Sequence, residues 1–108
     1  MSQTAVRYVR VGKASDVSAG RAEVFDVEDR KIAVFRLEDA FYAIEDICTH
    51  DGGPLAEGEI EEDQVICPRH GARFDIKTGA ALTLPAVTPV ESYPVRVEGN
   101  DLYIGLPD

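Results

Sequence analysis

Every cysteine and every histidine of this 108-residue chain falls in Cys48-Thr49-His50 or Cys67-Pro68-Arg69-His70, a window of about 23 residues in the numbering of the chain. Any fold that uses these donors together must bring two short loops side by side. Each loop offers one thiolate and one imidazole on a segment too short for the two side chains to diverge, so the pattern points to one metal centre clamped from two sides. A structural zinc site is the first alternative, because two Cys and two His also make a closed tetrahedral set. The C-x-H opening is shorter than the C-x₂₋₄-C openings usual for zinc. A second alternative, unrelated buried cysteines and surface histidines, leaves the pairing of all four donors in two motif-like loops to coincidence. A nucleophilic Cys–His pair would leave the duplicate Cys and His without roles.

The rest of the chain reads as β structure. Short β-branched and aromatic runs recur at Val6 to Val11, Arg21 to Val27, Lys31 to Leu37, Phe41 to Ile44, Gln64 to Cys67, Ala72 to Asp75, Val90 to Val97 and Leu102 to Leu106. Turn residues at Glu28-Asp29-Arg30, Glu38-Asp39-Ala40 and Glu98-Gly99-Asn100-Asp101 separate runs that can pair as hairpins. No segment carries a sustained helical stripe. Alternate residues such as Ile32 and Val34, or Val95 and Val97, face one core, while Arg36 and Arg96 interrupt it or turn outward. Periodicity alone gives a small antiparallel β domain, 1-108, large enough to bury roughly two-thirds of the surface its unfolded form exposes. A metal centre need not supply all of its stability.

The residues flanking the donors are more specific. Cys48-Thr49-His50-Asp51-Gly52-Gly53-Pro54-Leu55 and Cys67-Pro68-Arg69-His70-Gly71-Ala72-Arg73-Phe74-Asp75 resemble the two cluster loops of Rieske proteins. The resemblance covers nearly the whole chain. It implies a small all-β antiparallel β-sandwich with a cluster-binding subdomain at about residues 46-87 on a β base. It also implies one [2Fe-2S] cluster of Rieske type as cofactor, with Cys48 and Cys67 on one iron and His50 and His70 on the other. On the family pattern the histidines bind through Nδ1 and turn Nε2 toward solvent, where electrons enter and leave. Gly52, Gly53 and Gly71, lacking Cβ, are expected to take positive φ and bring N–H groups close to sulfur. Leu84-Pro85-Ala86 resembles the proline-containing loop that covers the cluster; as residues alone it is an ordinary turn proline.

Two positions bear on the reduction potential. High-potential members resemble His-Gly-Ser-x-Tyr, with hydroxyls donating to cluster sulfurs, whereas this chain has Ala72 and Phe74. Those members also add a cysteine to each loop, at positions matching Gly53 and Arg69. Without the Ser and Tyr hydroxyls the reduced cluster is less stabilised, and the potential is expected near the low end of the Rieske range, about −150 mV.

Charge and absent motifs bound the function. A net charge of −9, with a pI near 4.6, disfavours nucleic acid and anionic membranes, which need clustered cations. Basic protein surfaces are the fitting partners. Glu57, Glu59, Glu61, Glu62 and Asp63 crowd the stretch between the loops, either steering docking near the cluster or forming a solvated turn and edge strand. The N-terminal Met1 to Val11 carries Arg7 and Arg10 and reads as neither signal peptide nor membrane span. Both cysteines are taken as ligands, which suits a reducing, cytoplasmic setting.

Rieske oxygenases carry a further mononuclear iron on a 2-His-1-carboxylate triad, and here both histidines are already used. No Gly-rich dinucleotide fingerprint occurs. The resemblance therefore implies a non-enzymatic ferredoxin that shuttles single electrons from a reductase to a terminal oxygenase, of the aromatic-ring-hydroxylating dioxygenase kind, through transient contacts; its acidic charge and single small domain lean toward a monomer. Other readings are the small subunit of a nitrite-reductase-type enzyme, a carrier for a di-iron monooxygenase, or a zinc-stabilised interaction module.

Overall fold

Ile32-Ala33-Val34-Phe35 is the most thoroughly buried run among the described residues, all four side chains being wholly inaccessible. A strand covered on one face shows every second residue to solvent, so a continuous apolar run means cover on both faces. In this computed structural model, which describes residues 6–47, 54–68, 71–83 and 88–107, that run forms the middle of β3, and the rest of the fold is arranged around it.

The described strands, all antiparallel, are β1 (Val6–Lys13), β2 (Arg21–Val27), β3 (Arg30–Leu37), β4 (Ala40–Glu45), β5 (Glu59–Glu61), β6 (Gln64–Ile66), β7 (Arg73–Asp75), β8 (Ser92–Tyr93), β9 (Val95–Glu98) and β10 (Asp101–Pro107). They make three sheets in the orders β1-β10-β9, β2-β3-β4-β8 and β5-β6-β7. The four-stranded sheet is the middle layer. Ile32 and Val34 face the first sheet, in a core with Ala43, Tyr93, Leu102, Ile104 and Leu106. Ala33 and Phe35 face the other way, in a core with Ile44, Leu55, Val65, Cys67, Ala72, Phe74, Ile76 and Val90.

The all-β antiparallel architecture is as expected, and the three expected hairpins form. Val27 pairs with Arg30, Leu37 with Ala40 and Glu98 with Asp101, each across a two-residue turn. Such turns need positive φ to match strand twist: Glu28 and Asp29 adopt φ of 48° and 68°, Glu38 56° and Gly99 62°.

Two expectations need correction. Val90 to Val97 is not one run: Pro94 ends β8 in the middle sheet, and β9 continues in the first sheet, since proline cannot donate to a ladder. Val97 is 40% exposed rather than in the core. Glu59-Ile60-Glu61 forms the edge strand β5, in line with the turn-and-edge-strand reading of the acidic stretch, though the segment is too short and acidic to stand out by periodicity. No helix among the described residues is long and apolar enough to cross a membrane.

Candidate metal centre

The strand directions bring the chain leading into both donor loops to one end of the molecule. β4 runs out of the Glu38-Asp39 turn and ends at Glu45, three residues before Cys48; β6 runs out of the Glu62-Asp63 turn and ends at Ile66, next to Cys67. Those two turns meet at the opposite end, where with Gly20, Tyr42 and Lys77 they line an open recess of about 810 Å³. The acidic run is thus split. Glu57 lies beside the first loop, while Glu62 and Asp63 sit roughly 13 Å away from Cys67 along β6. Glu61 accepts from Arg73 at 3.2 Å, and Asp63 faces Lys77 at 3.9 Å. The solvated turn and edge strand, with its own counter-charges, is what the structure shows.

Of the four expected ligands Cys67 is described; Cys48, His50 and His70 lie outside the described residues, as do Gly52, Gly53 and Leu84-Pro85-Ala86. What the structure does show is how the loops are mounted. Cys67 is 1% exposed. Its N–H donates to the Ala72 carbonyl at 2.7 Å, and the Gly71 N–H donates to the Cys67 carbonyl at 3.0 Å. Gly71 takes φ of 75° with open space around its Cα, so conformation rather than crowding calls for glycine there. Beyond it Ala72, Phe74 and Ile76 alternate inward, all wholly buried. Leu82 donates to the Arg73 carbonyl at 2.8 Å and the Arg73 N–H to Thr83 Oγ1 at 3.0 Å, which lays the chain leading to Leu84-Pro85-Ala86 along β7.

The first loop is mounted by residues that the motif reading did not single out. Asp46, 6% exposed, is the one buried charged residue among those described. Its N–H donates to the Lys31 carbonyl at 2.8 Å, and its Oδ1 accepts from the Ala56 N–H at 2.7 Å. Burial pushes its carboxyl above the ordinary aspartate range; the Ala56 and Leu55 N–H groups pull the other way and offset only part of this. After the loop the chain makes a short 3-10 turn, Leu55–Glu57, with Leu55 wholly buried. Gly58 then lies against the Ile66 carbonyl so tightly that a Cβ would overlap it. An acidic residue closing an apolar strand, and a glycine closing a one-turn helix, were the available signals.

Leu55, on the far side of the first loop, and Cys67 and Ala72, on either side of the second, belong to one buried cluster. The chain that follows the first loop and the chain on both sides of the second therefore share one floor. A buried thiol at the edge of an apolar core fits a metal-bound thiolate, whose charge the metal cancels, better than a free one. With one thiolate and one imidazole per loop, the donor set suits a [2Fe-2S] cluster of mixed ligation. Among the described residues no other group of three His, Cys, Asp or Glu could hold a metal ion.

Comparison with known proteins agrees. Residues 7–94 match the Rieske [2Fe-2S] domain. The chain is 45% identical over 95 residues to the 3-phenylpropionate/cinnamic acid dioxygenase ferredoxin subunit of Escherichia coli (strain K12), covering 87% of this chain and 89% of that protein. Its fold is similar to the ferredoxin of carbazole 1,9a-dioxygenase from Nocardioides aromaticivorans IC177, with a TM-score of 0.87, 35% identity, and coverage of 94% and 98% of the two chains. It is also similar to a chain in the complex of reduced oxygenase and oxidized ferredoxin of carbazole 1,9a-dioxygenase, with a TM-score of 0.83, 35% identity, and coverage of 90% and 91%. Two donor loops whose described flanks share one apolar floor, joined to a match across most of the chain, make this protein a member of the Rieske [2Fe-2S] domain family that carries one Rieske-type [2Fe-2S] cluster.

Proposed function

We propose that this chain is a Rieske ferredoxin that takes single electrons from a reductase and passes them to a terminal oxygenase of the ring-hydroxylating kind, with no catalysis of its own. In this reading Cys48 and Cys67 hold one iron, His50 and His70 hold the other, and residues 46-87 form the cluster-binding unit. When bound, the cluster supplies reversible one-electron chemistry at a potential set by its mixed ligands. The observation that carries the reading is the convergence of Leu55, Cys67 and Ala72 in one buried cluster, which supports two ligand loops at one end of a small domain.

The chain's own residues suit brief contact with a partner. Ile47, next to Cys48 in the chain, and Leu82, paired with Arg73 in β7, are each 43% exposed and offer apolar ground at this end of the protein. The net charge of −9 favours basic partner faces and fast, salt-sensitive encounter. Relatives named as dioxygenase ferredoxin subunits support an oxygenase as acceptor. A monomeric, cytoplasmic carrier fits a chain whose cysteines both serve as ligands.

The test is direct. Holoprotein prepared anaerobically should be brown, hold iron and acid-labile sulfide in equal amounts, and give a rhombic EPR signal when reduced. His50→Ala and His70→Ala should each abolish that signal, and electron delivery from a reductase to an oxygenase should stop without this chain. A colourless protein with equimolar zinc would replace the reading with a structural module.

A further inference from the structure

The two loops are closed in different ways. The second is shut by main chain: the Cys67 N–H to the Ala72 carbonyl at 2.7 Å and the Gly71 N–H to the Cys67 carbonyl at 3.0 Å, directly continuing the β6–β7 ladder of Val65 with Phe74 and Ile66 with Arg73. Opening it means unzipping a hairpin. Among the described residues no backbone hydrogen bond spans the first loop. A side chain spans it instead. Asp46, held to β3 through its N–H on the Lys31 carbonyl, reaches over the base of the loop to the N–H groups of Ala56, at 2.7 Å, and Leu55. One rotation about its Cα–Cβ bond would release the clasp.

We propose that Asp46 is the positioning residue of the first ligand loop, joining its two ends so that Cys48 and His50 are held for the cluster. The inference rests on the ligand assignment proposed above. It follows from hydrogen bonding at fixed geometry. A buried carboxylate one residue past a strand end can accept from two successive N–H groups of a tight turn only if its length and rotamer are right. An amide of the same length can accept similarly through its Oδ1, whereas a carboxylate one methylene longer carries its oxygens past the same N–H groups unless the side chain coils back or the turn shifts. Geometry and charge therefore make opposite predictions for the two conservative variants.

Cluster loss from anaerobic holoprotein in excess iron chelator, followed by the decay of visible absorbance, separates them. Asp46→Ala should lose the cluster about ten- to a hundred-fold faster than wild type, the size expected for deleting a hydrogen bond to a charged acceptor. Asp46→Asn should stay within about three-fold of wild type, and Asp46→Glu should approach Asp46→Ala. Hydrogen exchange on the same proteins should show the Ala56 amide exposed in Asp46→Ala while the Cys67 amide keeps its protection.

If Asp46→Ala does not fold, the Asn and Glu variants still decide. Asn as fast as Glu, or Glu as slow as wild type, overturns the clasp, as does equal loss of protection at Ala56 and Cys67. His50→Ala, measured alongside, tests the ligand assignment by itself. An unchanged EPR signal there overturns the claim that Asp46 sets a ligand, whereas an altered signal with wild-type chelation in Asp46→Ala overturns the clasp alone.

Discussion

The α-carbon of Gly58 rests on the carbonyl oxygen of Ile66, with no room for a methyl group between them. Ile66 precedes Cys67, and Gly58 closes the 3-10 turn that follows the first ligand loop, so this contact sets the spacing between the bases of the two loops. Gly58→Ala must push β6 and the turn apart. Overpacking of this kind costs about 3 kcal/mol, equivalent to a fall in Tm of about 10 °C or more for a domain of this size. Thermal unfolding by circular dichroism, together with iron content after purification, checks this; an unchanged Tm with full iron would mean the contact is slack.

Ala72 and Phe74 are wholly buried on the inner face of the second loop's exit strand. Ala72→Ser with Phe74→Tyr places two hydroxyls there. If both donate to cluster or cysteine sulfur, the reduced state gains more than the oxidised one, and the midpoint should rise on the order of tens of millivolts per bond from a low value. Potentiometric titration reads the shift. A flat response, with the roughly 1 to 3 kcal/mol of lost stability expected for unpartnered buried hydroxyls, would show that neither position faces the cluster.

Arg36 continues the inward face of Ile32 and Val34. Its Nη1 donates to the Val17 carbonyl at 3.3 Å, its guanidinium lies 5.2 Å from the Phe41 ring centroid, and its buried Nε has no hydrogen-bond partner among the described residues. Arg36→Met keeps the aliphatic stem and removes the orphan donor. Gain and loss are of similar size, so the free energy of unfolding in urea should change by less than about 1 kcal/mol. A loss of several kcal/mol would assign the guanidinium a larger structural role.

Tyr93, 5% exposed in β8, accepts from Arg30 Nη1 at 3.1 Å. Burial pushes its phenol above the usual value near 10; the Arg30 guanidinium opposes this only in part. The folded protein therefore holds the phenolic proton to higher pH than the unfolded chain does. The associated stability is fully present below pH 10 and is lost as pH rises through the raised folded value. Stability measured from pH 8 upward should fall more steeply in wild type than in Tyr93→Phe. Parallel curves would remove Tyr93 from the alkaline transition.

Much of the site is legible in the sequence because ligand chemistry restricts residue type: few contexts ask for Cys-x-His followed by Cys-x-x-His with glycines beside both. The supports are harder to read. Asp46 looks like any acid at a strand end until the fold buries it, and Gly58 looks like an ordinary turn glycine until Ile66 is brought against it, a contact between residues eight apart that depends on the β5–β6 hairpin. The same holds for strands. Runs of β-branched and aromatic residues locate β2, β3 and β10, whereas β5 contributes one inward residue, Ile60, and owes its existence to pairing with β6. Pro94 marks the division between β8 and β9, but that the chain changes sheets there is a tertiary fact.

Because β3 belongs to both apolar interiors at once, the redox end of the protein and its β base cannot melt separately. Cutting the loop-bearing half free would bare Ala33, Phe35 and Ile44 on one fragment and leave Leu55, Val65 and Phe74 without a wall on the other. A miniature version of the carrier would thus have to be rebuilt around a substitute for that one strand rather than trimmed from the chain.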